Sequence, residues 1–73
     1  MNLLGYSIAR VAGQMARRIN AGEVLTPAER KAAEAAIVWA LERPEIEKSP
    51  AHEAELSRAV NLLWAEAATE ART

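Results

Sequence analysis

The chain has 73 residues, a net charge of −1 and no cysteine. This length indicates one domain whose hydrophobic core supplies only about 3–5 kcal/mol of stability. The lack of cysteine excludes a disulfide framework, a thiolate nucleophile and zinc sites built on cysteine. No apolar run approaches the roughly 20 residues that a membrane-spanning helix needs, and no signal-peptide pattern is present, so we expect a cytoplasmic protein without a membrane span.

Alanine dominates the apolar part of the composition, with 17 residues, and phenylalanine is absent. Alanine favours helix but buries little surface. We therefore expect a strongly helical chain with a thin core, which gains further burial by binding another protein or by forming a homodimer. The acidic residues are all glutamates, and a composition rich in Ala, Arg and Glu is typical of GC-rich bacteria and their phages or plasmids.

The first predicted helix spans about residues 2–20. Its core stripe is formed by apolar residues at spacings of three and four, namely Leu4, Ile8, Val11, Met15 and Ile19. Beside this stripe runs a second row of small residues, which we call the small-residue track: Gly5, Ala9, Ala12, Gly13 and Ala16. Because glycine inside a helix costs about 1 kcal/mol relative to alanine, close approach of another backbone is a reason for the track.

The second predicted helix spans about residues 27–43. Thr26 and Glu29 have the spacing of a capping box, Pro27 occupies the first helical position, and Pro44 ends the helix. Both Ile37 and the opposite, alanine-rich side are apolar, so we expect this helix to lie between two neighbours.

The third predicted helix spans about residues 50–70. Ser49 is the expected N-cap, and Leu56, Val60, Leu63 and Ala67 form its expected core stripe. Short connections favour antiparallel neighbours. The sequence therefore predicts an all-α fold, a single domain over residues 1–73 that forms a small, self-associating three-helix bundle in up-down-up order.

Catalytic and metal sites are not expected. His52 is the only histidine, and position 56, where a zinc-protease helix would place its second histidine, is leucine. A hydrolytic triad would have to use His52 with a glutamate, and the spacing of serines does not require it. The three glycines are scattered and form no phosphate-binding loop. We therefore expect no enzyme activity and no cofactor.

Nucleic-acid binding is the alternative interpretation. Residues 8–22 have the spacing of a degenerate helix-turn-helix in which Gly13 is the turn. The residues that would contact DNA are Arg10, Gln14, Arg17, Arg18 and Asn20. No capping residue marks the start of the second helix in this motif, and three arginines are few for a protein that is otherwise acidic. Adhesion of the same segment to a membrane surface is a weaker option.

Protein binding is the function that the sequence favours. The expected protein interface is the small-residue track, with Val38 and Leu62 as secondary candidates. One of Trp39 and Trp64 should pack between the second and third helices, and a tryptophan exposed beside Leu62 or Val38 would mark a partner site. We expect a non-enzymatic protein–protein interaction module, an adaptor or inhibitor of a larger complex in bacteria or their mobile elements.

Overall fold

Three α-helices pack against one another in all pairs. The structure is a computed structural model that describes residues 3–71, with side-chain surroundings from residue 7 onward. The helices are α1 (Leu3–Asn20), α2 (Pro27–Glu42) and α3 (Pro50–Ala71), and the described residues contain no strand. The predicted all-α three-helix fold is confirmed, whereas the up-down-up order and self-association stay predictions.

Side-chain caps begin α2 and α3 as predicted. At α2 the Glu29 backbone N–H donates to Thr26 Oγ1 at 3.1 Å, and the Thr26 N–H donates to Glu29 Oε1 at 2.9 Å. This reciprocal pair is a capping box, which satisfies two backbone donors that the helix leaves without partners. At α3 the His52 N–H donates to Ser49 Oγ at 3.1 Å, so Ser49 is the N-cap.

Lys48 closes the other end of α2. Its Nζ donates to the backbone oxygens of Ala40, Arg43 and Ile46 at 3.0, 3.0 and 2.9 Å. The last turn of α2 contains no basic residue, so a lysine from the following connection supplies the positive charge that a helix C-terminus favours. Lys48 therefore holds the α2–α3 connection against the end of α2.

The core is small and rich in alanine. Its buried members are Ala12, Ala16, Ile19, Leu25, Ala33, Ile37, Ala40, Leu56, Ala59, Val60 and Leu63. Two predicted core residues are exposed instead, Val11 and Ala67. In α1 the buried side is the one that carries Ala12 and Ala16, which leaves Val11 at its edge. In α3 every residue from Trp64 onward is exposed, so Ala67 lies beyond the last layer of the core.

The helix α2 contacts both α1 and α3 as expected, but most of its alanine-rich side is not covered. Its buried residues, Ala33, Ile37 and Ala40, lie on one side of the helix. The alanines Ala28, Ala32 and Ala35 are exposed. The reason is that α1 and α3 also pack against each other, so the three helices form a triangle in which each helix buries only its inner face.

Replacing Lys48 by methionine tests the closure of α2. Lys48→Met removes charge-assisted hydrogen bonds to three carbonyl groups and should lower the free energy of unfolding by about 1–2 kcal/mol. Urea denaturation followed by far-UV circular dichroism measures it. Lys31→Met, at an exposed position of α2, is the matched control and should change stability by less than about 0.5 kcal/mol. Equal effects of the two substitutions would contradict the role of Lys48.

The capping box makes stability depend on pH. The pKa of Glu29 lies below its ordinary value of 4.5, first because the Thr26 backbone N–H donates to it, then because of the Thr26 side chain, with Arg18 adding to the effect. A lowered pKa means that the folded state binds this proton more weakly than the unfolded state. The stabilisation is therefore complete above the ordinary pKa and is lost as the pH falls through the lower, folded-state value.

A comparison of the unsubstituted protein with Glu29→Gln measures this dependence. The stability difference between the two should be largest near about pH 7 and should shrink towards about pH 3. Urea unfolding at a series of pH values gives the difference directly. A difference that stays constant across the series would show that the charge of Glu29 does not contribute.

Candidate functional site

A groove lies where the end of α1 and the α1–α2 connection face α3. Its volume is about 410 Å³. The residues that line it are Ile19, Asn20, Gly22, Glu23, Val24, Leu25, Arg30, Leu62 and Glu66. Four of these are large aliphatic residues and three are charged. The groove is thus lined by a mixture of aliphatic, polar and charged residues.

A glycine cap at the end of α1 shapes one wall of the groove. Gly22 has φ = 83°, a left-handed conformation that glycine adopts without strain. Its N–H donates to the Ile19 oxygen at 3.0 Å, and the Glu23 N–H donates to the Arg18 oxygen at 3.1 Å. These two bonds form a Schellman motif and confirm the predicted helix end. The cap redirects the chain into the connection that carries Val24 past the groove.

Val24 and Leu62 form the exposed apolar part of the groove. Val24 is 96% exposed and Leu62 is 43% exposed, whereas Leu25, next to Val24, is buried in the core. Sequence reasoning named Leu62 but missed Val24. The sequence did contain a signal for the exposure of Val24. Leu25 lies immediately before the N-cap Thr26, and an apolar residue at that position packs inward against the start of the helix. Its neighbour Val24 then points outward.

Val38, the other secondary candidate, is placed elsewhere. It is partly buried and packs against the core from α2. It does not line the groove. Val38 and Leu62 therefore do not form one patch.

Two ion-pair networks border the groove. Arg18 lies 3.2 Å from a carboxylate oxygen of Glu23 and 3.6 Å from one of Glu29. Arg30 reaches Glu70 at 2.6 Å and Glu66 at 3.5 Å. Hydrogen bonding to Glu70 is the main reason why the pKa of Arg30 is raised. Of the charged residues that line the groove itself, two are glutamates and one is an arginine.

Asn20 joins α1 to α3 at the edge of the groove. Its Nδ2 donates to the backbone oxygen of Glu55 at 3.0 Å. Its Oδ1 is enclosed and has no hydrogen-bond partner among the described residues. An enclosed acceptor of this kind gains from a bridging water or a donor group. Asn20 is thus committed to holding the bundle together.

Most of the small-residue track is buried by packing within the same chain. Ala12 and Ala16 are fully buried, Gly13 is buried, and Ala9 is partly buried. The surroundings of Gly5 lie outside the described residues. A Cβ atom at Gly13 would lie 3.3 Å from His52 Cε1, so the close neighbour that the glycine admits is α3 of the same chain. The expectation that Ala12, Gly13 and Ala16 face a second copy is corrected accordingly.

The backbone conformation of α1 contradicts the helix-turn-helix interpretation. Residues 3–20 form one continuous helix, and Gly13 does not interrupt it. Arg18 is held by Glu23 and Glu29, and Asn20 is held by α3. The remaining proposed DNA contacts, which do share the exposed side of α1, are Arg10, Gln14 and Arg17. Without a turn there is no separate recognition helix to enter a groove of DNA.

The two tryptophans occupy different environments. Trp39 is partly buried against the core, and the guanidinium carbon of Arg43 lies 4.9 Å from its ring centroid, a cation–π distance. Trp64 is 50% exposed. Because Leu62 and Trp64 are two residues apart on α3, they point about 200° apart around the helix. Trp64 therefore lies outside the groove and does not extend its apolar surface.

The described part of the chain contains neither a metal-binding cluster nor a membrane-spanning helix. No group of three or more His, Cys, Asp or Glu side chains there could hold a metal ion. None of the described helices combines the length and the apolar character needed to span a bilayer. His52 packs against Gly13.

Comparison of the chain with protein-family models, with curated proteins and with solved structures finds no match. The groove and its surroundings are therefore the basis on which a function is proposed.

The contact between Gly13 and His52 can be tested by a double-mutant cycle. Gly13→Ala alone gains about 1 kcal/mol of helix propensity but presses the new methyl group against the imidazole, so the net gain should be smaller. In a His52→Ala background the full gain of about 1 kcal/mol should appear. Urea unfolding of the four proteins measures the coupling. The same gain in both backgrounds would show that the imidazole does not limit this position.

Proposed function

We propose that this protein is a non-enzymatic helical module that binds another protein through the groove and also associates with itself. The observation that carries the proposal is the pairing of Val24, which is 96% exposed, with the exposed part of Leu62 across one groove. Aliphatic side chains left in water beside a preformed concave surface are typical of a binding surface rather than of a site for chemistry.

The energy available at this surface is sufficient for recognition. Full burial of a valine or leucine side chain is worth about 1.5–3 kcal/mol. Val24 makes almost no use of this within the monomer, and Leu62 uses only part of it. A partner that covers both gains this energy without rearranging the fold, because the glycine cap and the buried Leu25 already hold the connection in place.

The biological role that fits such a module is that of a cytoplasmic adaptor or inhibitor of a larger complex. A chain of 73 residues can cover only part of a partner's surface. Its composition, rich in alanine, arginine and glutamate and without aspartate, supports an origin in a GC-rich bacterium or one of its mobile elements. In this role the protein acts by occupying a surface, and it needs no cofactor.

Capture from an extract of the native host tests the proposal. We expect the unsubstituted protein to retain a specific partner and the combined Val24→Ser and Leu62→Gln variant to lose it. With the partner purified, the dissociation constant should rise at least about tenfold, equivalent to about 1.4 kcal/mol. Because both side chains are already exposed, circular dichroism should show unchanged helix content.

Trp64→Gln is the matched control, since it removes a half-exposed apolar side chain of α3 outside the groove. It should leave capture intact. Loss of the partner with Trp64→Gln and retention with the groove variant would transfer the binding surface to the end of α3 and refute the proposal for the groove.

A further inference from the structure

The charges of this chain are divided between two regions. Residues 1–22 carry three arginines and no acidic residue, whereas residues 23–73 carry all ten glutamates against six basic residues. The two glutamates that line the groove, Glu23 and Glu66, belong to the second region. The arginines of the first region other than Arg18 lie on the exposed side of α1. One molecule therefore has exposed arginines on a helix without acidic residues, and elsewhere a groove lined by more carboxylates than guanidinium groups.

The exposed side of α1 also offers an apolar side chain. Arg10, Gln14 and Arg17 follow the spacing of one helix face, and Val11, at the edge of that face, is 45% exposed. We call these four residues the basic face. Arg17 is 3.8 Å from Glu55, but its side chain is 71% exposed, so this pair is weak and the guanidinium group remains accessible.

We infer that the basic face of one molecule docks into the groove of a second copy. Val11 covers Leu62 and Val24, while Arg10 and Arg17 face the carboxylates that border the groove, Glu23 and Glu66. The inference rests on the self-association part of the proposed function and names the surfaces that carry it. The two surfaces are complementary, since each has exposed aliphatic groups, the basic face carries two arginines, and the groove lining has two glutamates against one arginine.

The contact joins two different surfaces, and this has a consequence for assembly. Two such contacts related by a two-fold axis close a dimer, whereas an arrangement that does not close extends into a chain of molecules. In both arrangements, a substitution that disables the groove leaves the basic face able to bind. A substitution that disables the basic face likewise leaves the groove able to bind.

Complementation between two variants tests the inference. The first variant combines Arg10→Glu with Val11→Gln and disables the basic face, and the second combines Val24→Ser with Leu62→Gln and disables the groove. In sedimentation velocity each variant alone should be monomeric at concentrations where the unsubstituted protein associates. An equimolar mixture should form a one-to-one complex, because the first variant supplies the groove and the second supplies the basic face.

Salt provides a second measurement. Raising the ionic strength from roughly 0.1 M to 1 M shortens the Debye length from about 10 Å to about 3 Å. The dissociation constant of the unsubstituted protein should rise at least about tenfold over this range. A self-association that ignores salt would overturn the role of the opposite charges.

Three other results would overturn the inference: an unsubstituted protein that stays monomeric at about 1 mM, a variant that still associates like the unsubstituted protein, or a mixture that stays monomeric. These results are distinguishable from failure of the proposed function. If the protein is monomeric but the groove variant loses a captured partner, the groove binds a different protein and only the second copy is excluded as its occupant.

Discussion

Five of the eleven buried hydrophobic residues in the described part of the chain are alanines, and the consequences of that core extend through the whole structure. Small side chains let helices approach closely, as Gly13 shows by its contact with His52, but they remove little apolar area from water. Polar contacts at the ends of the helices add to the stabilisation that this core supplies. The capping box at Thr26, the Schellman cap at Gly22 and the three carbonyl bonds of Lys48 each define where a helix stops or starts.

The same constraint explains why apolar side chains remain outside. In a triangle of three short helices, each helix has one inner face. The centre between these faces is lined with alanine and has room for only a few large side chains. Leu62 and Val24 lie around the α1–α2 connection rather than inside the triangle, and Trp64 lies beyond its last layer. The surplus apolar surface is a direct result of a core too small to enclose it, which connects packing to the proposed binding function.

Charged residues lie beside the exposed apolar side chains of the groove. The groove is lined by two glutamates, Glu23 and Glu66, and by one arginine, Arg30. The opposite charge resides on α1, on a side that the bundle leaves exposed. Apolar groups alone would accept many partners, and in the proposed function the charged residues beside them narrow the choice of partner.

The sequence by itself determined where the helices of this protein begin and end, because the signals for helix ends are local. The capping residues make hydrogen bonds to backbone groups only a few positions away, so their spacing in the sequence predicts the helix ends. The structure confirms these ends at Thr26 and Glu29, at Ser49 and at Gly22. Tertiary packing decided which helix face turns inward, because small and large apolar residues compete for the centre and the sequence pattern does not rank them. That competition placed Ala12, Gly13 and Ala16 inside and Val11 outside. It also left Val24 beside Leu62, a juxtaposition of residues 38 positions apart that only the packed chain creates.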